Sequence, residues 1–289
     1  MKRRHFIRSG AALAGTLLLD AFPYHLFAAS AKKFAWDKVA LGNTGIEVSR
    51  LAIGTGTNGV GKSSNQTRKL GLRGLTNLLR TGFDNGVFFW DSADQYGTHP
   101  HLKEALKSVD REKVVILTKT HARTEDEMKA DLDRYRKEIG TDYVDVVLLH
   151  AITDPQWNKN RRGAMDYLER AREDGIVRAH GISCHSLGAL ETAAEEPWVQ
   201  VDLARINPAG LRMDSDVPVV VKVLQKMKAN GKAVMGMKIL GAGGLSNNVD
   251  EALQYALAQE YMSCFTIGAE SIDQFMDLTK RIPAASVRA

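Results

Sequence analysis

Asp91-Ser92-Ala93-Asp94-Gln95-Tyr96-Gly97 follows the apolar triplet Phe88-Phe89-Trp90, Lys119 closes an apolar run that begins at Val114, and His150 closes another from Val144 to Leu149. A carboxylate, a phenol, an ammonium and an imidazole are the side chains that hold and move protons in general acid–base chemistry. Each stands just past a run that reads as a buried parallel strand. In an α/β barrel that end of the strands is the catalytic face. Asp91, Tyr96, Lys119 and His150 are therefore expected to converge from successive strands into one site. Taken singly, a Tyr or Lys at a strand end is an ordinary solvated loop residue; the joint order carries the expectation.

The elements that must position them alternate along the chain. Val39 to Ser49, with Asn43-Thr44-Gly45 at its centre, reads as a β-hairpin plugging one end of the domain. From Leu51 to Lys280 eight strand–helix units follow, which predicts a parallel sheet with right-handed crossovers closed into a (β/α)8 TIM barrel capped by the N-terminal hairpin. An open doubly wound sheet would show G-x-G-x-x-G after its opening strand and an acidic residue about 20 positions on, and this chain has no such pattern.

The chain has 289 residues, 44% of them hydrophobic and 25% charged, which suits one well-filled domain. Its N-terminus is set apart. Lys2-Arg3-Arg4-His5-Phe6-Ile7-Arg8 precedes an apolar stretch from Gly10 to Leu19, and Ala29-Ser30-Ala31 supplies an A-x-A cleavage pattern. This resembles a twin-arginine export signal over residues 1–31, leaving a domain of residues 32–289 carried to the periplasm by the twin-arginine machinery. The apolar stretch is too short for a lasting membrane span. Without the signal the balance is 35 basic to 33 acidic residues, so little net charge remains to track a phosphate backbone and nucleic-acid binding is not expected. Cys184 and Cys264 lie far apart without ligand spacing and read as buried thiols. A monomer is expected.

Leu41-Gly42-Asn43-Thr44-Gly45, the Asp91 to Gly97 segment, Lys119, Leu148-Leu149-His150, Gly181-Ile182-Ser183 and Ile267-Gly268-Ala269 together resemble the aldo-keto reductase family, over about Val39 to Ile282. The resemblance implies hydride transfer between NADP or NAD and an aldehyde or ketone, with Asp91, Tyr96, Lys119 and His150 as the catalytic tetrad. Tyr96 would donate the proton, Lys119 would lower the phenol's pKa, Asp91 would hold Lys119 charged and aimed, and His150 would hydrogen-bond the substrate oxygen. For the cofactor it implies Gly54 and Thr55 turning beside it, Ser183 and Gln200 on the carboxamide, and Cys184 where an Asn is common. Met237 takes the place of a stacking aromatic, and Lys238 would reach the phosphates. Gly268, Ala269, Glu270 and Gln274 would lie at the ribose end. No Lys or Arg stands near residues 268–274 to grip a 2′-phosphate, so NADP over NAD follows from the family alone.

Three other readings compete. Gly56-Thr57-Asn58-Gly59-Val60-Gly61-Lys62-Ser63 fits G-x-x-x-x-G-K-S literally, although a barrel is the wrong fold for a phosphate-hydrolysing P-loop. His99, His101, His121, His150 and His185, with Glu270, could build a metal-dependent TIM-barrel hydrolase. A non-catalytic exported barrel that binds a ligand is the third, and an intact tetrad weighs against it. The reductase reading needs no metal site.

Overall fold

A computed structural model of the chain describes residues 32–287; the signal read over residues 1–31 lies outside the described residues. The described chain opens with a two-stranded antiparallel hairpin, β1 (Lys38–Ala40) and β2 (Glu47–Ser49), joined through the expected Asn43-Thr44-Gly45 turn. There follow β3 (Leu51–Gly54), α1 (Asn65–Asp84), β4 (Phe89–Asp91), α2 (His99–Leu106), β5 (Val115–Thr120), α3 (Glu125–Ile139) and β6 (Val144–Ile152). The second half comprises α4 (Trp157–Asn160), α5 (Arg162–Glu173), β7 (Val177–Cys184), α6 (Leu187–Glu195), β8 (Val201–Arg205), α7 (Val217–Ala229), β9 (Ala233–Met237), α8 (Val249–Ala258), β10 (Cys264–Ile267) and α9 (Ile272–Ser286).

Strands β3 to β10 pair in parallel and close, β10 on β3, into an eight-stranded barrel. The fold expectation thus holds. Alternation along each strand divides the core in two. One set, including Ala52, Phe89, Leu117, Val146, Leu148, Leu203 and Met235, fills the barrel; a second, including Ile53, Trp90, Ile116, Val147, Ile182 and Ala204, packs outward under the helices.

The hairpin closes one end. Leu41, Ile46 and Val48 are at most 2% exposed and belong to the interior cluster. Asn43 N donates to Gly231 O at 3.2 Å, and a Cβ on Gly42 would meet Ala233 N, at the start of β9, at 2.5 Å. The hairpin therefore seals the N-terminal ends of the strands and leaves the C-terminal ends for chemistry.

Helix starts follow the capping rules. Ser64 with Thr67, and Thr124 with Glu127, form reciprocal capping boxes for α1 and α3, each cap side chain being worth about 1 kcal/mol. Gly71 breaks α1 with a left-handed backbone (φ 60°), where the periodicity alone predicts one continuous helix. The short α4 was not expected either, because Trp157-Asn158-Lys159-Asn160 carries no apolar period.

Candidate active site

The C-terminal strand ends bring the four ionisable residues together. Asp91 ends β4, Lys119 lies on β5 and His150 on β6, while Tyr96 stands in a single helical turn, Asp94–Tyr96, just after β4. Lys119, 1% exposed, forms an ion pair with Asp91 and donates to Ser92 O at 2.7 Å. Its ammonium lies 4.9 Å from the centre of the Tyr96 ring. Across the site, Tyr96 Oη and His150 Nε2 are 3.4 Å apart, with the two rings edge to face. His121 stacks on the far side of His150, 4.9 Å between centroids.

The loop that reads as a P-loop forms the bed of the phenol. A Cβ on Gly56 would come within 2.1 Å of the Tyr96 ring, and one on Gly59 within 2.2 Å. Lys62 N donates to Gln95 O at 2.8 Å, its ammonium pairs with Asp94, and a Cβ on Gly97 would strike Lys62 O. The glycines that suggested a phosphate cradle are there because ring and loop backbone touch. Thr55, fully buried, completes the support: its hydroxyl bonds Asp91 O and Thr98 Oγ1, both at 2.9 Å.

Electrostatics separate the roles. Burial alone would push Lys119 down, but Asp91, followed by the phenol, outweighs it and leaves the ammonium above its ordinary value. His150 is driven well below its ordinary value, chiefly by burial and then by the Lys119 ammonium, with His121, His185 and Lys238 acting in the same direction, so it stands as a neutral imidazole. Tyr96 departs from expectation. Lys119 pulls its pKa down, but desolvation is larger and the net direction is up. The phenol is held in its protonated form, the form that has a proton to give.

Ser183, 1% exposed at the end of β7, has a buried hydroxyl with no partner, an acceptor and donor waiting for a ligand. Across the barrel from it, on the β3–β10 side, Gly54 and Gly268 bring backbone close together: a Cβ on Gly54 would meet Gly268 N at 3.0 Å, and one on Gly268 would meet Thr57 Oγ1 at 2.3 Å. Met237 ends β9 within the interior cluster. Ala269 is buried, and its carbonyl accepts from Gln66.

Two expected cofactor residues lie elsewhere. Gln200 precedes β8, at the hairpin end; its side chain accepts from His180 N at 3.1 Å, and it lines a polar cavity of about 360 Å³ with Asn43, Asn230 and Gly231. A strand position counted from the wrong end explains the error. Cys184 is fully buried in the outer cluster, because alternation from the inward Ser183 turns it toward the helices. Thr55 is likewise occupied by Asp91 and Thr98. Glu270 is held by Asn65 Nδ2 at 2.5 Å and by Lys69, while Gln274 is taken up at the start of α9, its side chain accepting from Glu270 N and its backbone N donating to Oγ of the N-cap Ser271. Lys69 and Arg68 on α1 also bear on Glu270, supplying the basic side chains absent from residues 268–274. Nothing in their sequence spacing reveals that, since the contact spans the barrel closure.

The histidines do not form a metal centre together. His99 is drawn into the start of α2, between Glu138 Oε2 and Thr118 Oγ1, each at 2.7 Å. Among the described residues only Asp94, His99 and Glu138 approach ligand geometry, and Arg134 bridges both carboxylates there.

Comparison with known proteins agrees with this architecture. Residues 51–280 match the Aldo/keto reductase family. A D-threo-aldose 1-dehydrogenase from a Pseudomonas species is 24% identical over 204 residues, 59% of this chain and 61% of that enzyme. A solved Pseudomonas aeruginosa protein assigned to the aldo-keto reductases superposes with a TM-score of 0.72 at 20% identity, over 91% of this chain and 99% of that one. The holo form of an aldo-keto reductase from Bacillus halodurans gives 0.67 at 18%, over 86% and 91%.

Proposed function

The chain belongs to the Aldo/keto reductase family and is an oxidoreductase, and from that premise we propose that it moves a hydride between NADPH or NADH and a small aldehyde or ketone, with Tyr96 as the proton donor. The observation that carries this reading is the buried Asp91–Lys119 ion pair beneath Tyr96, with the neutral His150 across from the phenolic oxygen. Ser183, with its unpartnered hydroxyl, and the close backbone at Gly54 and Gly268 fit a nicotinamide cofactor at this mouth.

When bound, the cofactor supplies the hydride and its electron pair to the carbonyl carbon. Negative charge then grows on the carbonyl oxygen. A substrate oxygen placed at the Tyr96 hydroxyl also meets His150 Nε2, which orients it. Tyr96 gives up its proton, and the product alcohol forms. The Lys119 ammonium stabilises the phenolate left behind, and Asp91 and Ser92 O keep that ammonium in place; solvent then returns the proton. Each proton is held at a named atom before it moves, which is preorganisation rather than rearrangement.

Tyr96→Phe is the test. We expect kcat/KM for carbonyl reduction to fall by on the order of 10²–10⁴-fold, while titration by nicotinamide fluorescence still shows NADPH binding. Unchanged turnover would remove Tyr96 from the role. The preference between NADPH and NADH is read from the same titration; family membership and the Arg68–Lys69 pair beside Glu270 favour NADPH.

We propose the periplasm as the site of action, on the strength of Arg3-Arg4 and the Ala29-Ser30-Ala31 pattern. Replacing Arg3-Arg4 by a lysine pair is expected to retain the protein in the cytoplasm in a fractionation experiment; continued export would refute the signal.

A further inference from the structure

Resting on the reductase reading, we propose that Arg205 and Lys238 form an anion clamp at the mouth of the barrel, and that the carbonyl substrate bears a carboxylate which docks there. Arg205 ends β8, and Lys238 follows directly on β9; Arg205 is in register with Met237, and Ile206 N donates to Met237 O at 3.0 Å. Val201 and Leu203 face the barrel interior, so alternation turns Arg205 inward at the mouth.

Arg205 is built into place. Its side chain is 15% exposed, and Nε and Nη2 both bond one oxygen of Asp214, whose side chain is fully buried, with Nε at 3.1 Å. Nη1 has no partner among the described residues. Lys238 is half-buried, and its ammonium has no hydrogen bond or ion pair among the described residues. Asn207 Nδ2 holds the Lys238 carbonyl at 3.2 Å, and the Lys238 backbone is left-handed (φ 58°), a conformation rare for a lysine. A half-buried, unpaired ammonium beside a tethered guanidinium is unfavourable, and an anion bound between them offsets that cost.

The clamp stands at the same C-terminal mouth of the barrel as the tetrad. The Lys238 charge is felt at His150, and in turn Lys119 and Asp91 act on Lys238; Arg205 and Lys238 both act on His185, which follows β7. By contrast, the Lys69–Glu270 pair lies on the β3–β10 side. Lys238 is the residue whose strand-end position also suggested the cofactor phosphates. Its grouping with the tetrad favours the other source of an oxyanion, a carboxylate on the same small molecule as the carbonyl. Guanidinium and ammonium bonds to carboxylate are charge-assisted and among the stronger hydrogen bonds.

The full-length protein, first shown to bind NADPH by fluorescence, would be assayed with glyoxylate and 4-carboxybenzaldehyde against their methyl esters. We expect kcat/KM for the acids to exceed that for the esters by at least about tenfold, and the Lys238→Met ratio to collapse toward unity, about the effect of one charge-assisted bond. Lys238→Met is chosen because it strands no buried partner; Arg205→Lys, which keeps the charge but loses the fork, should reduce the ratio less. A readout independent of turnover is calorimetric titration of the NADPH complex with oxamate: saturable binding in the wild type, lost in Lys238→Met. Equal acid and ester efficiencies with no oxamate binding overturn the proposal. So does a raised NADPH Kd in Lys238→Met with the acid-to-ester ratio intact, which would assign the cation to the cofactor phosphates. Failure of the wild type to bind NADPH would fall on the reductase reading instead.

Discussion

Asp91 and Asp202 are two carboxylates on strands of one barrel, 5% and 0% exposed, and they are handled in opposite ways. Asp91 points into the mouth and meets the Lys119 ammonium. Asp202 follows the inward Val201, so it faces the outer layer, where its hydrogen-bonding neighbour is the Cys184 thiol and no ammonium or guanidinium bonds it; burial, with the neighbouring Asp214, raises its pKa to about 8. The contrast shows what burial alone does. A carboxyl group without a counter-charge keeps its proton, whereas one given an ammonium is part of an ion pair that works on a third group. The same degree of burial therefore gives an ion pair at one place and a protonated acid at the other.

The comparison can be broken first at Asp91. Asp91→Asn leaves Lys119 buried without its counter-charge, and we expect a loss of kcat on the order of 10²-fold together with destabilisation of about 3–5 kcal/mol. Steady-state kinetics and denaturant melts check both; near-normal rates would mean that Lys119 needs no anchor.

Asp202 offers an effect on stability alone, without consequence for turnover. Its folded pKa is raised above the unfolded value of about 3.9, so the stability tied to its protonated form is fully present below that value and is lost as pH rises through about 8. Asp202→Asn removes that slope. Thermal melts from about pH 4 to about pH 9 should show the variant gaining on the wild type as pH rises, by up to about 5 kcal/mol. Parallel curves would show that Asp202 ionises freely or has a cationic partner.

Much of the mouth was legible from residue order. Lys119 and His150 end apolar runs, and an apolar run carries its direction with it, so the face they share can be read from the chain. What failed is instructive. Gln200 precedes its strand rather than following it, and the residue type alone does not say which end is meant. Cys184 lies one residue beyond the inward Ser183, and a period of two sends it to the opposite face. The contribution of Arg205 depends on Asp214 and the Lys238 loop, and that of Lys69 on barrel closure, where partners separated by many residues meet. Gly56 and Gly59 were visible as a motif but not as a bed for Tyr96, since a missing side chain does not announce what fills its place.

The hairpin that seals the N-terminal end has a consequence in time. It is among the first described segments to be synthesised, yet the backbone it rests against, at Gly231 and Ala233, emerges only after most of the barrel. β3, the strand that follows it, likewise waits for β10, which comes last among the strands. Until then the hairpin has the start of β4 to dock on, where Phe88 N and Phe89 N donate to Ser49 Oγ, but not the strand ends it finally seals. The ring then shuts in a late, long-range step, and a ribosome that stops short leaves an open sheet with two unpaired edges.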